Sequence, residues 1–306
     1  MNSGTPPAIP ALRDIFIALR PSQWTKNAVV LAAFFFAFWD PHQALTLIDG
    51  PTRALPAALL FCLISSAVYL LNDVRDLRAD QTHPRKRHRP IAAGRIAPAF
   101  AIGLAALLLI VGLAASWVLS PPFAGVVAVY LAIQLLYSFG LKRVALLDVF
   151  VIATGFVLRA IAGAIVLTVD ISPWLLLCTF LLALFLALCK RRHEKLLVEE
   201  SGAASRPSLE QYDARLLDLL IAITAGATIV SYAIYTMNES TVEKFGTAYL
   251  GFTIPFVIFG VFRYLDLAYR HERGERPELV LLSDLPLLAD LALYGATLIL
   301  IFLCKS

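Results

Sequence analysis

The stretch "ALPAALLFCLISSAVYLLNDVRDLRAD", Ala54 to Asp80, decides the fold class. It runs without a charge from Ala54 to Leu71 and then places Asp73, Asp76 and Asp80 in quick succession. An uncharged apolar run of this length reads as a membrane-spanning helix. Its carboxylates therefore stand at the mouth of the span, where ionisable side chains are costly and point to function. The chain continues "QTHPRKRHRPIAAGRI" to Ile96, so a dense run of cations follows the acids directly.

The remainder of the chain fits the same solvent. Of its 306 residues, 59% are hydrophobic and 16% charged, and the mean hydropathy is +0.76. Soluble domains carry about 25% charge. Nine apolar segments are long enough to cross or nearly cross a bilayer: 26–39, 54–72, 98–119, 121–139, 147–169, 173–189, 216–236, 247–265 and 285–304. The prediction is an all-α integral membrane protein, one domain over 1–306, with a polar segment 1–22 and polar motif loops at 73–97 and 190–215. Cys62, Cys178, Cys189 and Cys304 lie in apolar runs without paired spacing, which argues against a disulfide framework or a zinc site. The N-terminus is polar and Pro-rich, so no cleaved signal peptide is expected. Nothing in the pattern points to nucleic acid, and a homo-oligomer stays open.

Basic residues set the orientation. With the N-terminus in the cytoplasm, 22 of the 26 Lys and Arg fall on the cytoplasmic side, and only Arg53, Lys244 and Lys305 lie opposite, with Arg159 inside the fifth segment. That asymmetry predicts a multi-pass protein of the cell membrane whose first polar cluster faces the cytoplasm.

If the helix continues through the motif, Asn72, Asp73, Asp76 and Asp80 fall at about 0°, 100°, 40° and 80° around its axis, on one face. Hard oxygen ligands on one face suit Mg²⁺, which favours a few carboxylates completed by phosphate oxygens. Arg85, Lys86, Arg87 and Arg89 read as topology signals and, beside a metal, as phosphate ligands. A polyphosphate is the ligand that answers both halves of the stretch.

"NDVRDLRAD" has the N-D-x-x-D-x-x-x-D form of the UbiA superfamily of intramembrane prenyltransferases, which this chain resembles. The blocks "RPSQWTKN", "NDVRDLRADQTHPRKRHRPIAAG", "YSFGLKRVALLDVFVIATGFVLRAIAGA" and "FLALCKRRHEK" are similar to the branch that transfers phosphoribose to a polyprenyl phosphate of decaprenyl type, a precursor of cell-envelope arabinan. The resemblance implies a UbiA-like helical bundle with a cytoplasm-facing polar cavity. It also implies catalysis centred on Asp73 and Asp76, with Asn72 and Asp80 completing a Mg²⁺ site.

The second cluster departs from the superfamily pattern. Where members acting on aromatic substrates carry a second aspartate-rich motif, this chain has Lys190, Arg191 and Arg192, with Glu194 as the nearby carboxylate. One acidic and one basic cluster suit phosphoribosyl pyrophosphate, whose 5-phosphate asks for cations. A plain positive-inside signal is the competing reading of these residues. Lys26 stands at a helix mouth, as a topology anchor or a phosphate ligand. Lys142 and Arg143, one turn after Tyr137, are phosphate ligands by resemblance or snorkelling cations. Arg159, deep in an apolar helix, requires a partner: Asp148, three turns earlier on nearly the same face, or a bound diphosphate. Gly155 and Gly163 flank it and predict close helix contact. His83, His88 and His193 read as loop residues. The rival functions are an aromatic prenyltransferase, which wants acids in the second cluster, and a cation transporter, which wants acids at mid-bilayer.

Overall fold

The computed structural model describes residues 10–40, 43, 49–82, 86–201, 207–270 and 283–304. Every regular element among them is helical. A short α1 (Leu12–Ala18) leads through a 3-10 segment (Pro21–Ala28) into α2 (Val29–Phe38). There follow α3 (Asp49–Arg75), α4 (Leu77–Thr82), α5 (Pro98–Leu119), α6 (Pro121–Phe139), α7 (Leu147–Leu167) and α8 (Pro173–Ser201). The chain closes with α9 (Pro207–Glu210), α10 (Ala214–Met237), α11 (Glu239–Phe245), α12 (Ile254–Arg270) and α13 (Leu285–Leu303).

Eight helices among the described residues are long and apolar enough to cross a membrane. The segment expected at 26–39 is the exception. Arg20 holds φ +55, Pro21 opens a 3-10 stretch, and only Val29–Phe38 is α-helical. It still packs inside the bundle against α3 and α7. Two further boundaries differ from expectation. The segment 190–215 is largely helix, because α8 runs on to Ser201, and His193 is a buried residue of that helix. The helix through the motif breaks once, at Asp76, although the Asp76 and Asp80 amides still bond back to the carbonyls of Asn72 and Asp76.

The bundle has two halves with α7 as the seam. Val149 and Ala153, early in α7, join a core with Phe185, Leu188, Leu217 and Tyr264. Ala162, Ala164 and Val166, late in α7, join a second core with Val30, Phe61, Phe123 and Tyr130. A methyl group at Gly163 would run into the Val30 carbonyl, so α2 and α7 approach backbone to backbone, as the small-residue spacing predicts. The outer surface carries exposed Leu107, Ile110, Val118, Leu219, Ile223 and Leu300. Such a girdle is stable against hydrocarbon and not against water.

Candidate active site

Both polar motifs come to the same end of the bundle, joined by the C-terminus of α6 and the loop after it. Ser138 Oγ donates to Asn72 Oδ1. Lys142 Nζ reaches both carboxylate oxygens of Asp76, at 2.8 and 2.7 Å. Tyr137, the residue before Ser138, turns the other way and receives a long contact of 3.5 Å from Arg191 Nη2.

In the first cluster the acids hold cations brought from elsewhere in the chain. Asp73 is paired with Arg20 and, at 3.0 Å, with Arg89 Nη1. The same Arg89 nitrogen lies 2.6 Å from Asp80. One positive charge therefore bridges two carboxylates at the end of α3. Arg20 is itself stacked 5.0 Å over the Tyr69 ring. The three cations keep partial exposure, with side chains 25% (Arg20), 31% (Arg89) and 19% (Lys142) accessible, so they can exchange partners.

The expected four-residue metal face is not gathered here. No group of three or more His, Cys, Asp or Glu stands in metal-holding geometry among the described residues. The donor set nevertheless fits a hard divalent ion. Asp73 and Asp80 converge on a single cationic nitrogen, which occupies the kind of position a metal between two carboxylates would take.

The second cluster is closed. Arg191 is 2% and Asp148 0% exposed, and they pair at 2.6 Å. Arg191 Nη1 also donates to Glu194, at 2.7 Å. Tyr212 donates to the other Asp148 oxygen at 2.7 Å and accepts from the Leu146 amide at 2.7 Å. Burial, with the bond to Asp148, pushes the Tyr212 hydroxyl well above its ordinary range and keeps it a donor. Gln211 clamps the same loop, accepting from Ala145 N–H and donating to the Arg143 carbonyl, both at 3.1 Å. Leu146 sits at φ +67, a backbone state that a leucine holds only under such constraint.

Two expectations change. Arg191 faces Asp148 and Glu194 instead of a phosphate-sized opening. Asp148 is accordingly not the partner of Arg159. That guanidinium bonds Asn27 Oδ1 at 2.7 Å, Gly155 O at 2.8 Å and Tyr130 Oη at 2.8 Å. Arg192 stacks 3.7 Å over Tyr269 and pairs with Asp218 at 2.6 Å, away from the first cluster's acids. Lys26 Nζ donates to Gln23 at 2.5 Å. Lys86 and Arg87 lie in a short 3-10 turn and Lys190 is half-buried at the end of the apolar part of α8. Arg143 is exposed, and Arg85 lies outside the described residues. Sequence reasoning did not single out Arg20, Asn27, Tyr130 or Tyr212. Arg20 and Asn27 stand in "RPSQWTKN", where an arginine and a buried-capable amide flanking a span were the available signal.

Comparison with known proteins bears on the family and the fold. The model of the UbiA prenyltransferase family matches residues 28–283. A decaprenyl-phosphate phosphoribosyltransferase from Mycolicibacterium smegmatis is 39% identical over 87% of this chain and 85% of its own. One from Corynebacterium glutamicum is 38% identical over 87% and 80%. A UbiA homolog from Archaeoglobus fulgidus, solved bound to GPP and Mg²⁺, superposes with a TM-score of 0.70 at 18% identity, covering 94% of this chain and 99% of that one. A UbiA homolog from Aeropyrum pernix K1 gives 0.65 at 17% identity over 90% and 97%. Fold, motif and relatives converge: the chain belongs to the UbiA prenyltransferase family.

Proposed function

We propose that the chain transfers 5-phosphoribose from phosphoribosyl pyrophosphate to a polyprenyl phosphate, giving polyprenylphosphoryl-5-phosphoribose and diphosphate. The observation that carries this reading is the likeness, over most of both chains, to relatives of that activity by name. The sequence of the second cluster is consistent with it: Lys190–Arg192 replace the second acidic motif that a prenyl diphosphate bridged by two metals would need, although Arg191 and Arg192 are themselves held by Asp148, Glu194 and Asp218.

Asp73 and Asp80 would hold Mg²⁺, with Asp76 and Asn72 at its edge. The ion would neutralise charge on the diphosphate and make it a better leaving group. The protein's own residues do the rest. When the diphosphate enters, Arg20, Arg89 and Lys142 turn from carboxylates to phosphate oxygens, which costs little because all three are already at the water-accessible edge. Lys26, Lys86, Arg87, Arg143 and Lys190 extend the cationic rim toward the 5-phosphate. Arg191 and Glu194 act through position, fixing Tyr137 and the loop that carries Lys142. An oxygen of the lipid phosphate forms the new bond to ribose C1 as the C1–diphosphate bond breaks, and the bonding pair leaves with diphosphate. The attacking oxygen is already ionised near neutral pH, so no general base is needed.

Purified protein given Mg²⁺, radiolabelled phosphoribosyl pyrophosphate and polyprenyl phosphate should yield labelled lipid. Activity confined to a prenyl diphosphate and an aromatic acceptor would overturn the reading. The orientation is tested separately. A cysteine at Gln81, exposed beside the first cluster, should be labelled in intact cells only by reagents that enter the cytoplasm, and one at exposed Glu239, at the opposite end of the bundle, from outside. Labelling of Gln81→Cys from outside would place the site on the wrong face for a cytosolic donor.

A further inference from the structure

Arg159 is a buried cation without a carboxylate. It is 5% exposed and takes part in none of the ion pairs among the described residues. Its partners are three neutral oxygens, from Asn27, Gly155 and Tyr130, and three aromatic faces. The rings are Tyr130 at 4.8 Å, Phe156 at 5.4 Å and Phe61 at 5.9 Å. These groups hold the guanidinium without supplying negative charge. Three of its five N–H groups are used, which leaves one on each terminal nitrogen. An uncompensated charge in a low-dielectric interior is costly, and an anion that arrives there recovers that cost.

The site is built for this cation. Asn27 is 1% exposed, and its Nδ2 donates to Cys62 Sγ at 3.2 Å and Ser65 Oγ at 3.4 Å, which aims its oxygen at Arg159. Two helices fix the depth independently. On α7 the guanidinium reaches back to Gly155, seven residues beyond Asp148, and on α3 Ser65 lies eight residues before Asp73. At about 1.5 Å per residue the group lies roughly 10 Å inward of Asp148 of the closed cluster along α7 and, through Asn27 and Ser65, roughly 12 Å inward of Asp73 along α3.

We propose that Arg159, held by Asn27 and Tyr130, binds the phosphate of the lipid acceptor. The inference rests on the function proposed above and specifies one of its two anion sites. In-line displacement requires the nucleophile and the leaving group on opposite sides of ribose C1. The diphosphate belongs at Asp73 and Asp80, at the polar end, so the attacking phosphate belongs on the inner side. An acceptor anchored by an apolar tail reaches that depth from the bilayer, and the donor's 5-phosphate, on a fully polar molecule, has the cationic rim outside.

The test is Asn27→Asp in the full-length protein. This variant gives Arg159 the carboxylate it lacks, so it should insert and melt no lower than wild type while repelling an incoming phosphate. The KM for polyprenyl phosphate should rise roughly ten- to hundredfold, the loss expected for one charge-assisted contact, and the KM for phosphoribosyl pyrophosphate should stay within about twofold of wild type. Where Asn27→Asp fails to insert, Arg159→Lys carries the same test, keeping the charge and losing the fork. In a binding arm that needs no turnover, farnesyl phosphate should raise the melting temperature of wild type but not of the variant, and farnesol should raise neither. An unchanged acceptor KM, a rise confined to the donor, or equal stabilisation by farnesol would overturn the assignment. Wild type that shows the farnesyl phosphate shift but transfers no phosphoribose would overturn the proposed function and leave the anion site standing.

Discussion

The two polar clusters at the end of the bundle use the same chemistry, arginine against aspartate, to opposite ends. In the first, Arg20 and Arg89 reach Asp73 from outside α3 and remain a quarter to a third exposed. In the second, Arg191 and Asp148 are sealed from solvent, and Tyr212 and Glu194 satisfy the remaining atoms. Asp73 and Asp80 are themselves buried, but their part-exposed cations can exchange partners, whereas a pair buried on both sides fixes geometry and is destabilising to break. The difference separates a binding surface from its scaffold, although the two motifs look alike in composition.

Substitution at the first cluster should act on chemistry and spare the fold. Asp73→Asn or Asp80→Asn should lower turnover about a hundredfold or more, since each removes charge where the leaving group must be stabilised. Melting should change little, because the released arginines can turn to water. Transfer of labelled phosphoribose and thermal melts in detergent, measured on the same preparations, read both effects. Asp73→Asn with full activity would remove the metal assignment.

Substitution at the second cluster should invert that pattern. Asp148→Asn leaves Arg191 with one carboxylate in a closed site, and breaking such a pair costs about 3–5 kcal/mol. The melting midpoint should fall steeply, and the activity of surviving protein should fall less than in Asp73→Asn. The double variant Asp148→Leu/Arg191→Met should regain part of the lost stability, because it removes both charges together. A double variant no better than Asp148→Asn would show that the pair is more than scaffold.

How far the sequence disclosed this follows from how local each feature is. The spans and the acidic mouth of α3 were legible because hydropathy and charge are read along the chain. The 3-10 entry to α2 was not, because "RPSQWTKN" is set by the Arg20 backbone and by Asn27 and Trp24 reaching α3, at Cys62, Ser65 and Ser66. Arg159 was legible as a charge needing a partner, but Asp148 was the wrong one. Eleven residues of helix are about 16 Å, too far for a side chain that reaches back one turn to Gly155. Arg191 looked like a phosphate ligand because its run is basic. Its burial depends on Asp148, forty-three residues away, which no spacing rule connects.

The smallest expected effect tests the clamp behind the closed cluster. Tyr212→Phe removes one hydroxyl that both donates to Asp148 and accepts from the Leu146 amide. The loss leaves a part-buried N–H and a buried carboxylate oxygen short of a partner, which costs about 1–3 kcal/mol, less than breaking the ion pair. The pH dependence identifies the hydroxyl as the cause. Its folded-state value is raised above the ordinary tyrosine value of about 10. The stability it contributes is therefore complete below about pH 10 and is lost as pH rises from there toward the folded value. Wild type should melt above Tyr212→Phe from pH 7 to 9, and the gap should narrow as pH climbs past 10. A gap that does not narrow past pH 10 would overturn the assignment to the protonated hydroxyl, and no gap at any pH would mean that Leu146 is held in its strained state by Gln211 and the flanking helices alone.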